Sequence, residues 1–149
     1  MNRKAIYPGS FDPITFGHVD IIERASRIYD KVFVAVAESR EKKPLFTLSE
    51  RISMVKKATK SIKNVSVESF CGLAVKYVRN KDCSVIIRGL RMISDFEYEF
   101  QMALTNRKLA SDIETIFLCP TKAILIYQAN LLKKLYNLEG IWEILFLPM

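Results

Sequence analysis

Val32-Phe33-Val34-Ala35-Val36-Ala37 is an unbroken apolar run. A strand with one wet face alternates apolar and polar residues. A run with no polar member marks a strand covered on both faces, as in a parallel sheet flanked by helices. Upstream, Ala5-Ile6-Tyr7 reads as a strand, and Gly17 to Ile28 as a helix with Val19, Ile21, Ile22, Ala25 and Ile28 on its inner side. Downstream, Thr47-Leu48-Ser49-Glu50 has the Ser/Thr-x-x-Glu form of a capping box and opens a helix toward Ala58. Val65 to Ser69, Ser84 to Ile87 and Glu114 to Leu118 read as further strands. Helices are expected from Leu73 to about Asn80 and from Asp95 to about Leu109. Strand and helix alternate without hairpin signals, which predicts an α/β fold: a doubly wound, five-stranded parallel sheet with helices on both faces. Its connections should be right-handed crossovers.

With 149 residues, half of them hydrophobic, the chain reads as a single domain spanning 1–149 with a substantial core. It contains no internal repeat, low-complexity segment or linker. No stretch combines the basic flank, apolar run and small-residue cleavage site of an export signal. Nor does any apolar run reach the roughly 18 residues needed to span a bilayer, so no membrane role is expected. Cys71, Cys83 and Cys119 are odd in number and lack metal-ligand spacing; they suit a reducing cytoplasm, and no metal ligands are assigned. The net charge of +7 points to an anionic partner. The basic residues are scattered, as at Lys42-Lys43, Lys56-Lys57 and Lys133-Lys134, without interleaved aromatics. Small phosphorylated ligands therefore fit better than nucleic acid.

Open parallel sheets bind ligands beyond the carboxyl ends of their strands, near the switch in strand order. That rule selects the loops Pro8–Gly17, Glu38–Phe46 and Arg88–Asp95. In the first, Gly9 permits close backbone approach, Ser10 adds a hydroxyl, and Thr15-Phe16-Gly17-His18 leads into a helix whose first amides suit an anion. His18, the only histidine, stands where it can donate hydrogen bonds to a phosphate gaining charge. Arg88-Gly89-Leu90-Arg91 follows the fourth strand, and two arginines there can grip phosphates through bidentate contacts. The carboxylates of Asp95-Phe96-Glu97-Tyr98-Glu99 either favour the helix dipole or face a ribose or base.

Tyr7 to His18 resembles the nucleotidyltransferase signature in its T-x-G-H form. Taken with Lys42-Lys43-Pro44, Phe46-Thr47-Leu48, Glu50-Arg51, Ile87 to Arg91 and Asp95 to Glu99, the chain is similar to the bacterial phosphopantetheine adenylyltransferases from about residue 3 to Lys122. The resemblance implies a Rossmann-like fold and the penultimate step of coenzyme A synthesis. There the phosphate of 4′-phosphopantetheine attacks the α-phosphate of ATP with Mg²⁺ present, giving dephospho-CoA and pyrophosphate. It implies that His18 is catalytic, that Ser10, Lys42, Ala74 and Arg88 bind phosphopantetheine, and that Ser10, Phe11, His18, Gly89, Leu90, Arg91 and Glu99 contact ATP. It further implies a cytoplasmic homo-hexamer. The readings that compete with it are a related nucleotidyltransferase with another acceptor, and a degenerate ATP- or CoA-binding homologue with impaired turnover.

One departure stands out. The family has a second ATP loop after the fifth strand, a Tyr-Ser-Tyr-Ile-Ser-Ser-Ser-like segment, where this chain reads Lys122-Ala123-Ile124-Leu125-Ile126-Tyr127-Gln128-Ala129-Asn130. Dropping the first base from codons for Ser-Tyr-Ser-Tyr-Ile-Ser-Ser-Asn yields Ala-Ile-Leu-Ile-Tyr-Gln-Ala, the sequence at 123–129. A similar loss generates Ile-Trp-Glu-Ile-Leu-Phe-Leu-Pro at 141–148. The hypothesis that 123–129 and 141–149 are frame-shifted fails if resequenced coding DNA and that of near relatives show no such indels. The competing reading of the tail is an ordinary apolar helix or strand packed on the core.

Overall fold

A computed structural model describes residues 3–38, 43–90 and 93–119. Among the described residues, five strands and four helices alternate: β1 (Lys4–Gly9), α1 (Phe16–Ile28), β2 (Lys31–Ala37), α2 (Leu48–Ala58), β3 (Val65–Phe70), α3 (Ala74–Asn80), β4 (Val85–Gly89), α4 (Ile93–Leu109) and β5 (Glu114–Leu118). The sheet order is β3-β2-β1-β4-β5 and every pairing is parallel. Register runs from Lys4 opposite Lys31 to Gly9 opposite Val36, and Ile6 lies opposite Ile86 of β4. The expected doubly wound parallel sheet is therefore what forms. Strand order reverses between β1 and β4, so the crevice predicted for ligands opens above those two strands.

Period-two alternation divides the core into two layers. Ala5, Tyr7, Val32, Val34, Val36 and Ile87 point to one face, where Ile21, Ile22 and Ala25 of α1 and Val55 of α2 meet them. Ile6, Ala35 and Ile86 point to the other, against Val75 and Val78 of α3 and Ala110 and Ile113 beyond α4. This split follows from handedness. Connections stepping one way along the sheet put α1 and α2 on one face, and those stepping back put α3 on the other.

Local chemistry sets the helix starts. Thr47 caps α2 in the expected capping box: its hydroxyl accepts from Glu50 N at 3.3 Å, and the Glu50 carboxylate accepts from Thr47 N at 2.8 Å. The Glu50 carboxyl pKa is lowered chiefly by the Thr47 hydroxyl and then by its amide. Helix α1 ends as expected, but Ile28 is 46% exposed rather than inner. It sits in the last turn, where the chain leaves the core to enter β2. Helix α4 begins at Ile93, two residues before the predicted Asp95 start, which leaves Asp95 in the first turn.

Candidate active site

The carboxyl ends of β1 and β4 and the start of α1 enclose a cavity of about 120 Å³. Tyr7, Pro8, Gly9, Ser10, Gly17, His18, Ile21, Arg88, Gly89 and Glu99 line it. A complete ligand pocket is typically about 300–1,000 Å³, so these residues form one part of a larger site. Of the residues picked from sequence, Ser10, His18, Arg88, Gly89 and Glu99 meet here, although up to 89 positions separate them along the chain. Ala74 opens α3 at the same edge of the sheet and is not among the lining residues. Lys42, Arg91 and the 123–149 segment, with both proposed frame-shifts, lie outside the described residues.

His18 occupies the third position of α1 and takes the place of the usual Glu or Gln in a capping box with Thr15. Thr15 N donates to His18 Nδ1 at 3.0 Å, and Thr15 Oγ1 lies 2.9 Å from the same nitrogen. A backbone N–H can only donate, so Nδ1 must carry the lone pair. The neutral ring then keeps its proton on Nε2, as a donor. The Phe11 ring packs edge-on against the imidazole with centroids 5.1 Å apart, and Tyr7 flanks both rings. Helix cap and aromatic wall together set the direction of the imidazole.

Phe11 is 1% exposed, so its ring belongs to the core and walls the site from behind. Its φ of 46° lies in the left-handed region, which a bulky residue adopts only when the surroundings enforce it. Two glycines are explained by contacts. A Cβ on Gly9 would meet the Phe11 ring at 3.0 Å, and one on Gly89 would lie 2.5 Å from Ile21 Cδ1. Both strand ends therefore pack tightly beneath the cavity. The Leu90 amide donates to Leu118 O at 3.0 Å, tying the end of β4 to β5.

Arg88 does not present an unoccupied fork. Its Nε donates to Glu99 Oε2 at 2.7 Å, Nη2 to Glu99 Oε1 at 2.5 Å, and Nη1 to Pro8 O at 2.7 Å. Burial works against the guanidinium charge, but the Glu99 hydrogen bonds and charge outweigh it, with further support from Tyr7 and Tyr98. Its pKa is held above the usual arginine value. Glu99, reached from α4, thus orients Arg88 across the switch point while also lining the crevice. The unoccupied Arg88 hydrogens remain for an anion.

Two charged residues at this edge lie within the quoted motifs but had no role assigned from the sequence. Asp12 is buried, and its carboxylate accepts from Leu45 N at 2.8 Å and Phe46 N at 2.9 Å. Arg51 is 3% exposed and donates to Ser10 O (2.6 Å), Ala37 O (3.0 Å) and Phe46 O (3.2 Å). The available signal was spacing. Arg51 falls three residues after Leu48 and four before Val55, on the inward stripe of α2.

The chain was compared with known proteins. The family model described as cytidylyltransferase-like matches residues 6–141, spanning 123–129 and ending where the 141–149 tail begins. The phosphopantetheine adenylyltransferase of Natranaerobius thermophilus is 52% identical over 95% of this chain and 87% of its own length. That of Dictyoglomus thermophilum is 50% identical over 92% and 84%. Among solved structures, a putative nicotinate-nucleotide adenylyltransferase from Vibrio parahaemolyticus superposes with a TM-score of 0.69 at 15% identity, covering 96% of this chain and 85% of that one. A bifunctional NMN adenylyltransferase/ADP ribose pyrophosphatase from Francisella tularensis, complexed with AMP and manganese, gives 0.70 at 14% identity, covering 96% and 44%. These two similarities establish the shared fold. With the extent of the family match and about half the residues identical to the curated relatives, the chain belongs to the cytidylyltransferase-like family and, within it, to the phosphopantetheine adenylyltransferases.

Proposed function

We propose that this enzyme transfers the adenylyl group of ATP to 4′-phosphopantetheine, in coenzyme A synthesis. A phosphate oxygen of phosphopantetheine attacks the α-phosphorus, the bond from that phosphorus to the bridging oxygen of the β-phosphate breaks, and pyrophosphate leaves. The attacking phosphate is already an anion at neutral pH, so no covalent nucleophile is needed. Positioning and charge stabilisation supply the catalysis.

The convergence of His18, Ser10, Arg88 and Gly89 on one crevice at the strand-order switch carries this reading. His18, with its proton on Nε2, donates to the oxygens of the α-phosphate as charge builds there. Ser10 and Arg88, with Lys42, hold the acceptor phosphate, and Ala74 touches the pantetheine arm through its backbone. Gly89, Leu90 and Arg91 border the nucleotide, with Phe11 behind them in the wall that orients His18. Glu99 contacts the nucleotide and, by orienting Arg88, also serves the acceptor phosphate. Mg²⁺ enters on the triphosphate, since this cation typically keeps its waters and uses substrate phosphates.

Assembly as a homo-hexamer and a cytoplasmic location belong to the same proposal. Helix α4 exposes Phe96, Tyr98, Phe100, Met102, Leu104 and Leu109 among the described residues, an apolar surface of the kind subunit contacts cover. Cys71, Cys83 and Cys119 are free thiols, as a reducing compartment keeps them. Among the described residues, no helix is long and apolar enough to cross a membrane.

The deciding experiment measures pyrophosphate release from ATP and Mg²⁺ with 4′-phosphopantetheine or other phosphorylated acceptors. Turnover with phosphopantetheine is expected. Turnover only with another acceptor would replace the substrate assignment. Binding of both ligands without turnover would support the degenerate reading that the apolar residues at 123–129 motivate.

A further inference from the structure

We infer that Asp12 and Arg51 are positioning residues for this reaction: together they fix the backbone turn that carries Ser10 toward the reacting phosphates. The inference rests on the adenylyl-transfer reading for its kinetic consequence and on geometry for the rest.

Arg51 reaches from α2 beneath the ends of β1 and β2. Its Nη1 takes the carbonyls of Ser10 and Ala37, which belong to neighbouring strand ends, and its Nε takes that of Phe46. Ser10 lies beyond the last β1–β2 ladder pair, Gly9–Val36, so the sheet itself no longer holds it, whereas Ala37 still pairs with Phe70 of β3. Asp12 completes the arrangement from the other side of the turn, taking the amides of Leu45 and Phe46. The Phe46 peptide lies between the two charges, its N–H on Asp12 and its C=O on Arg51. Each buried charge is thereby solvated by backbone dipoles, as a charge away from water requires.

The turn needs this support. Phe11 sits at φ 46°, a conformation that costs energy for a bulky residue and that the chain on its own would leave. Between the two anchors, Ser10 is exposed and lines the crevice opposite His18 and Arg88. A buried arginine that merely filled space would be replaceable by an apolar residue of similar size. One that ties three segments of the site's backbone controls where Ser10 stands, and a displacement of about 1 Å can cost about 100-fold in rate.

The test uses the full chain with Arg51→Lys, Asp12→Asn and a control, Asn64→Ala. Lysine keeps the charge but cannot span three carbonyls. Asn64 also bridges backbone carbonyls, those of Ser26 and Tyr29, but at the opposite end of the sheet. Well below each variant's melting temperature, the first two should lose about 100-fold in kcat with KM for ATP changed only a few-fold, and the control should keep its kcat. Amide exchange in residues 9–12 should quicken at least ten-fold in Arg51→Lys and Asp12→Asn and stay as in the parent in Asn64→Ala. Unchanged exchange in that turn, or kcat losses no larger than the control's, would overturn the inference. If the parent chain releases no pyrophosphate, the adenylyl-transfer reading fails alone, and the exchange measurement still decides whether these two residues fix the turn.

Discussion

Replacing Glu99 by glutamine tests how Arg88 is held. The carboxylate is 9% exposed as a residue and makes two hydrogen bonds to the Arg88 fork, at 2.7 and 2.5 Å. Glutamine has nearly the same shape but one acceptor oxygen, so its amide nitrogen must face a guanidinium N–H. One charge-assisted hydrogen bond is lost, worth about 1.5–3 kcal/mol. The guanidinium also stays partly buried without its counter-charge; full truncation of a buried ion-pair partner costs about 3–5 kcal/mol. Arg88 retains the Pro8 carbonyl and 29% side-chain exposure, which moderates the penalty toward about 2–3 kcal/mol. For a chain of this size that corresponds to a fall of about 5–10 °C in melting temperature. Scanning calorimetry at fixed protein concentration, paired with steady-state kinetics, measures both consequences. KM for phosphopantetheine should rise at least ten-fold, because Arg88 no longer points at the acceptor phosphate. A variant that melts within 1–2 °C of the parent, or that binds phosphopantetheine normally, would refute the idea that Glu99 orients Arg88.

His18→Ala should lower kcat about 10²–10³-fold, the scale of losing one transition-state donor, while chemical denaturation shows little change beyond the weakened α1 cap. A near-normal rate would remove His18 from the chemistry. The Glu68 carboxyl pKa is lowered, first by its hydrogen bond to Lys81, against desolvation, with further help from Tyr77. A carboxyl depressed in the folded state contributes stability above its unfolded pKa of about 4.5 and loses it as pH falls through the folded value. Melting curves of the parent and Glu68→Gln should therefore differ near pH 6, and the difference should shrink as pH falls below about 4.5 and through the lowered folded value; a difference undiminished in acid would contradict this pairing.

Much of the frame was readable from local pattern. The unbroken run at 32–37 required cover on two faces, the Thr47–Glu50 box placed the start of α2 within a residue, and strand–helix alternation produced the parallel order. These features depend on neighbours a few positions apart, which single-sequence periodicity captures. His18, Arg88 and Gly89 were also legible, because their loops follow strands whose carboxyl ends had been located. The direction of each side chain was not. Arg88 appeared able to grip phosphates with its whole fork until the fold brought Glu99 within 2.7 Å. Arg51 and Asp12 had no role assigned until α2 was laid across the ends of β1 and β2. Their partners are backbone carbonyls and amides, which every residue possesses, so spacing marks Arg51 as inward-facing but no sequence pattern identifies what either residue binds. The sequence alone determined the sheet, its crevice and the residue types at its edge. Tertiary packing decided which charges face a ligand and which are spent holding the chain, because those hydrogen bonds join groups 5 to 80 residues apart.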